Sequence, residues 1–165
     1  MTTLQTLFAY KAWANDELLT VLGGIDASAH PTVLHSALRV LNHAHVVDCI
    51  FKGHLSSTPH GYKATNTKDT PTLQALAAAV RAVDAWYIAY VAGVSATALQ
   101  EQVRFTFTDG DSGLMTREEI LLHVITHSGY HRGQAGQVVR AGAALAPPRD
   151  LFTRFLHASE PGRRA

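Results

Sequence analysis

The chain has 165 residues, 47% of them hydrophobic and 16% charged, and its 14 Lys and Arg against 13 Asp and Glu leave a formal net charge of +1. That is the size of one domain able to bury its own core; the hydrophobic fraction excludes a disordered chain, and the near-neutral balance implies neither a nucleic-acid-binding stripe nor an acidic tail. Cys49 is the only cysteine, so no intramolecular disulfide forms; no apolar run approaches the roughly 20 residues of a membrane helix, the Met1-Thr2-Thr3-Leu4 start lacks signal-peptide order, and a soluble cytoplasmic protein is expected.

Helical periodicity dominates the chain. Leu4, Leu7, Phe8, Ala12, Leu18, Leu19 and Leu22 recur at three- and four-residue spacing behind a Thr2 to Gln5 capping box and before Gly23-Gly24, which predicts a helix over about 2–22. After His30-Pro31 a second helix is expected over about 32–55, with apolar positions nearly all round it, as for a helix with several neighbours. The polar stretch Ser56 to Thr70 is longer than most helix connections and reads as a crossover or a loop over a site. Pro71, after Thr70 as cap, then opens an Ala-rich helix to about residue 92.

Val103-Arg104-Phe105-Thr106-Phe107 alternates at period two and meets the turn signal Asp109-Gly110, so a short strand or hairpin is expected there. Thr116-Arg117-Glu118-Glu119 is a capping box for a long helix over about 116–141. Pro147-Pro148 breaks the chain, and Leu151 to Leu156 suggests a short terminal helix over about 150–157. Four long helices with an extended connection between the second and third read as an all-α four-helix bundle in a single domain, 1–165.

Ten histidines are the unusual count in this composition. His123, His127 and His131 follow at four-residue steps, drifting only about 40° per step, so they share one helix face. Two imidazoles one turn apart can aim nitrogens at a single metal ion, which is why an i, i+4 histidine pair suggests a metal site. A further ligand must come from a neighbouring helix, and His43 and His45 are both candidates. They lie about 200° apart on the helical wheel, both sides carry apolar residues, and periodicity leaves the choice open.

Other residues have plainer readings. Gly129, Gly133 and Gly136 suggest that another backbone packs closely on the last long helix. Arg132 suits an ion pair better than a grip on an anionic substrate, and Asp48 on a largely apolar helix calls for a partner such as Arg132 or a ligand imidazole. Tyr10, Trp13 and Trp86 are read as core aromatics. Cys49, about 240° round the helix from His43, is read as a small buried hydrophobe and not as a nucleophile or ligand.

Three motifs together carry a resemblance: Phe8-Ala9-Tyr10-Lys11-Ala12-Trp13-Ala14-Asn15, Leu41-Asn42-His43 with Asp48 five residues on, and His123-x-x-x-His127-x-x-Tyr130-His131-Arg132-Gly133-Gln134. In order and spacing the chain resembles the DinB family, the damage-inducible DinB and YfiT-like metalloproteins. The resemblance implies a four-helix bundle of up-down-down-up connectivity and one divalent metal ion held by His43, His127 and His131. It makes His123 a pocket residue, places Tyr130, Arg132 and Asp48 around the site, and leaves His45 and His54 without a role. Three imidazoles suit zinc and nickel first, and also iron and copper.

Such an ion keeps open positions, and the resemblance implies an enzyme that activates a low-molecular-weight thiol for S-transfer to a small-molecule electrophile, with the Ser56 to Thr70 loop shaping the mouth of the pocket. A metal-dependent hydrolase and a non-catalytic metal-binding stress-response protein are the alternatives. A homodimer through an apolar helix face is expected, with neither nucleic acid nor a membrane as partner.

Overall fold

The computed structural model describes residues 1–163. Helix α1 (Thr3–Gly23) begins at the expected capping box, with the Thr2 hydroxyl accepting from the Gln5 N–H and the Gln5 side chain accepting from the Thr2 N–H. Helix α2 (Pro31–Ser56) carries Pro31 at its start, where the missing N–H is no loss. Helix α3 (Leu73–Gly93) starts later than expected: Thr72, not Thr70, is the cap, and its hydroxyl accepts from the Ala75 N–H. Pro71 then lies just before the helix, where its missing N–H costs no helical hydrogen bond.

A single turn that the sequence did not signal, α4 (Ala96–Leu99), is capped by Ser95. The alternating stretch forms an antiparallel hairpin of β1 (Gln102–Thr106) and β2 (Ser112–Thr116), with Phe105 opposite Gly113. Helix α5 (Arg117–Ala143) opens on the reciprocal Thr116 and Glu119 cap. Helix α6 (Phe152–Ser159) and a 3-10 turn, Pro161–Arg163, complete the described residues.

Helix α2 packs chiefly on α5, and α1 on α3; α1 also meets α5, and α2 also meets α3. Two apolar clusters result. One joins Leu4 and Phe8 of α1, Phe51 and Leu55 of α2, Tyr87 and Val91 of α3, Ile120 to Ile125 of α5, and Phe105 of the hairpin. The other joins Leu18 and Leu22 of α1, Ala37 to Leu41 of α2, Leu76 and Val80 of α3, and Ala135 and Val139 of α5. Near their junction each long helix buries polar side chains, among them Lys11, Asn15, Asp48, Asp84, Ser128 and Arg132.

Two expectations need correction. By length and composition α3 is apolar enough to cross a membrane, because its alanines fill the run between longer apolar residues. It nevertheless buries one face, including Asp84, against other helices, as a core helix does. The glycine expectation also shifts: a Cβ on Gly133 would meet nothing within 4 Å, and one on Gly129 only the Arg132 guanidinium at 3.7 Å. On α5 the close approaches are at Gly142, where a Cβ would stand 2.4 Å from Val33, and at Gly136 against Pro147. Tyr10, Trp13 and Trp86 are half-buried; the first two pack on Phe155 of α6, and Trp86 stacks on Tyr90.

Candidate metal centre

The contact of α2 with α5 brings three of the ten histidines together. His43 projects from α2, and His127 and His131, one turn apart, project from α5. Their ring centroids are 5.1 Å (His43 to His127), 4.5 Å (His43 to His131) and 4.3 Å (His127 to His131) apart. One ring nitrogen from each lies within 4.8 Å of the other two, a group that can hold a metal ion.

Hydrogen bonds behind the rings fix which nitrogens face inward. His43 Nδ1 lies 2.7 Å from the Thr65 carbonyl oxygen, an acceptor only, so Nδ1 carries the proton and Nε2 is left bare. His131 Nδ1 lies 2.7 Å from Gln134 Oε1, with the same consequence for its Nε2. The Nε2 atoms of His127 and His131 are 3.0 Å apart. A tetrahedral ion with bonds of ~2.0–2.1 Å spaces neighbouring nitrogens by ~3.3 Å, so the pair fits an ion after a shift of a few tenths of an ångström. His127 Nδ1 is buried without a protein partner.

Electrostatics favours neutral rings. Burial, reinforced by His131, His123 and His43, pushes His127 down to about 3. Burial also lowers His131, partly offset by its bond to Gln134, and lowers His123. Neutral imidazoles present lone pairs to a cation, whereas imidazoliums would repel it.

His123 stands one turn before His127, its ring stacked at 5.2 Å, and it lines a cavity of about 190 Å³ that also touches His43 and His127. His54 lines the same cavity, and Thr65 of the long connection stands at its edge. Tyr130 is on the surface, 64% exposed, with its ring edge-on to His131 and away from the cavity lining. His45 lies apart from the three, its Nε2 3.6 Å from Cys49 Sγ. Cys49 is only partly buried, and burial raises its thiol above the ordinary range.

Asp48 and Arg132 do not pair with each other. Lys11, fully buried on α1, donates to Asp48 Oδ2 at 2.7 Å and to Asp84 Oδ1 at 2.5 Å. Asn15 donates to Asp84 Oδ2, and Arg132 donates to Asn15 Oδ1, Ser128 Oγ and Asp150 Oδ2. Tyr10 closes the chain on the other Asp150 oxygen. Burial lifts the Asp48 carboxyl to about 6 against the pull of Lys11, while the two carboxylates hold the Lys11 ammonium above its ordinary value despite burial. Asp48 had called for a cation; α1 supplies it as Lys11, and α3 brings a second carboxylate, Asp84, to the same ammonium.

The sequence reading missed Lys11, Asp84, Thr65 and Gln134. Gln134 had a visible signal, three residues after His131 on one helix face. A model of the DinB family matches residues 1–163. Neither a curated protein nor a solved structure matches the chain.

Proposed function

This chain belongs to the DinB family, and on that footing we propose that it is an enzyme holding one divalent ion on His43, His127 and His131 and activating a low-molecular-weight thiol for S-transfer to an electrophile. The observation that carries the reading is the convergence of three imidazoles, two of them held from behind by Thr65 and Gln134. Zinc and nickel are the ions of choice, with iron and copper compatible. Bound there, the ion would supply an uncompensated double positive charge and free coordination positions, under which a thiol or water loses its proton near neutral pH.

The chain's own residues do the rest. Thr65 and Gln134 orient two of the rings, and the apolar walls beside His127 exclude water from the reacting groups. His123 faces the cavity one turn from His127 and is not tied to a protein partner, so we assign it the handling of a proton during transfer. Cys49 is not the nucleophile in this reading: burial raises its thiol, and it does not line the cavity beside the three histidines.

We also propose a four-helix bundle running up-down-down-up. Its support is the order in which each helix visits the two apolar clusters: α1 and α5 pass from the Phe8 cluster to the Leu18 cluster, and α2 and α3 pass the other way. Exposed Leu122 and Tyr130 on α5 support self-association as a homodimer, and we place the protein in the cytoplasm.

The test is to load the chain with cobalt and titrate it with glutathione and other biological thiols. Sulfur-to-metal charge-transfer absorption with turnover of an electrophile is expected, unchanged in Cys49→Ser. Neither signal from any thiol in fully loaded protein overturns S-transfer and leaves hydrolysis or a non-catalytic metal site.

A further inference from the structure

The cavity beside the three histidines has a composition of its own. It runs along one face of α2, from His43 through Val47, Ile50 and Phe51 to His54, and is closed by the hairpin with Phe105 and Phe107. His123 and His127 form the α5 side. Among the described residues no Asp, Glu, Lys or Arg lines it. Away from the histidine end, a charged group would therefore leave its hydration without a counter-charge, whereas an apolar one exchanges water for carbon contacts.

Size narrows the class. The cavity measures about 190 Å³, and an apolar cavity of roughly 150 Å³ takes up benzene. One six-membered ring with a short substituent fits.

The hairpin is shaped to form this wall. Phe105 pairs across the strands with Gly113, and a Cβ on Gly113 would stand 2.4 Å from the Phe105 ring. The ring therefore lies over the glycine, where it stacks on His54 at 4.9 Å and meets Phe51 edge-on at 5.5 Å. Phe107, 45% exposed, meets Phe105 edge-on at 4.9 Å. A large ring left half in water at the rim of an apolar cavity marks a binding mouth.

We propose that this cavity is the subsite for the electrophile's uncharged aromatic or compact branched-aliphatic group, with the Phe105 and Phe107 hairpin setting its size limit. The assignment rests on the three histidines being a metal centre, because the ion fixes where the reacting end of the same molecule sits.

The test uses two kinds of probe. Acetohydroxamate and benzohydroxamate share a metal-chelating head and differ by a ring; on the zinc-loaded chain the ring improves affinity at least about tenfold, the effect of burying roughly 60 Å² of apolar surface. Gly113→Ala, which drives the Phe105 ring off its seat, abolishes that gain, and Phe107→Ala reduces it. Neither change alters acetohydroxamate binding. On the metal-free chain, toluene shifts the NMR methyl signals of Val47 and Ile50 whereas phenylacetate leaves them in place. Equal affinity for the two hydroxamates on fully loaded chain, with Val47 and Ile50 unmoved by toluene, overturns the subsite and leaves the metal centre standing. A chain that takes up no metal but whose Val47 and Ile50 respond to toluene overturns the proposed function, and with it the assignment to the electrophile, and leaves only an apolar binding cavity.

Discussion

Two polar clusters share the same helices and are built on opposite principles. In the core, Lys11, Asp48, Asp84, Asn15, Ser128 and Arg132 close on one another, and of their side-chain atoms only Asp48 Oδ1 is buried without a partner. At the α2 and α5 groove, His43, His127 and His131 turn nitrogens toward a common point, with the Nε2 atoms of His127 and His131 3.0 Å apart. The same two helices serve both: α2 gives Asp48 to one and His43 to the other, and α5 gives Arg132 to one and His131 to the other. A cluster that pairs donors with acceptors is complete without a ligand, and one that gathers acceptors is not.

The largest effect should come from breaking the closed cluster. Lys11→Met leaves two buried carboxylates without their ammonium and should cost about 3–5 kcal/mol of stability in chemical denaturation. Adding Asp84→Asn should recover part of that loss. An unchanged denaturation midpoint in Lys11→Met would show that the buried ion pairs are not formed.

The two clusters should also separate by pH. His127 sits at about 3 in the folded chain against an ordinary 6.5, and burial lowers His123, His131, His45 and His54 as well. Below pH 6.5 the unfolded chain takes up protons that the folded one refuses, so stability without metal is full above that pH and is lost as the pH falls toward the folded values. Asp48, raised to about 6, acts in the opposite sense between roughly pH 4 and 6, so the histidine effect is cleanest from pH 7.5 to 6. Thermal unfolding of metal-free chain should show a falling midpoint over that window, and saturating zinc should raise the midpoint throughout without reversing that slope, because metal-bound rings still refuse the protons that the unfolded chain takes up. A midpoint that rises as the pH falls would contradict neutral, buried imidazoles.

The smallest effect is a control on the helix that carries both clusters. Gly133 is exposed on α5, and a Cβ there would meet nothing within 4 Å. Gly133→Ala should therefore stabilise the chain by about 0.5–1 kcal/mol through helix propensity and leave metal content unchanged. Destabilisation would show that another backbone approaches there after all.

What could be read from the sequence divides along the same line. Features local to one helix were legible: the capping boxes at Thr2 and Thr116, the i, i+4 step from His127 to His131, and the hairpin before α5. Features made by packing were not. Lys11 finds Asp48 and Asp84 across 37 and 73 residues, and His43 finds the Thr65 carbonyl across 22, distances over which periodicity carries no information. Asp48 was right as a residue in need of a cation and wrong in its expected partner, because Arg132 is taken up by Asp150 on the segment before α6. The wheel also left His43 and His45 undecided; the structure puts His43 in the cluster and His45 against Cys49.

That choice gives the most direct test of the central claim, which is that His43, His127 and His131 hold one divalent ion. Elemental analysis of the chain and of its His43→Ala and His45→Ala variants, each dialysed against the same zinc solution, should return one ion per chain for the parent and for His45→Ala and none for His43→Ala. Equal metal in the two variants, or its loss from His45→Ala alone, would contradict the claim.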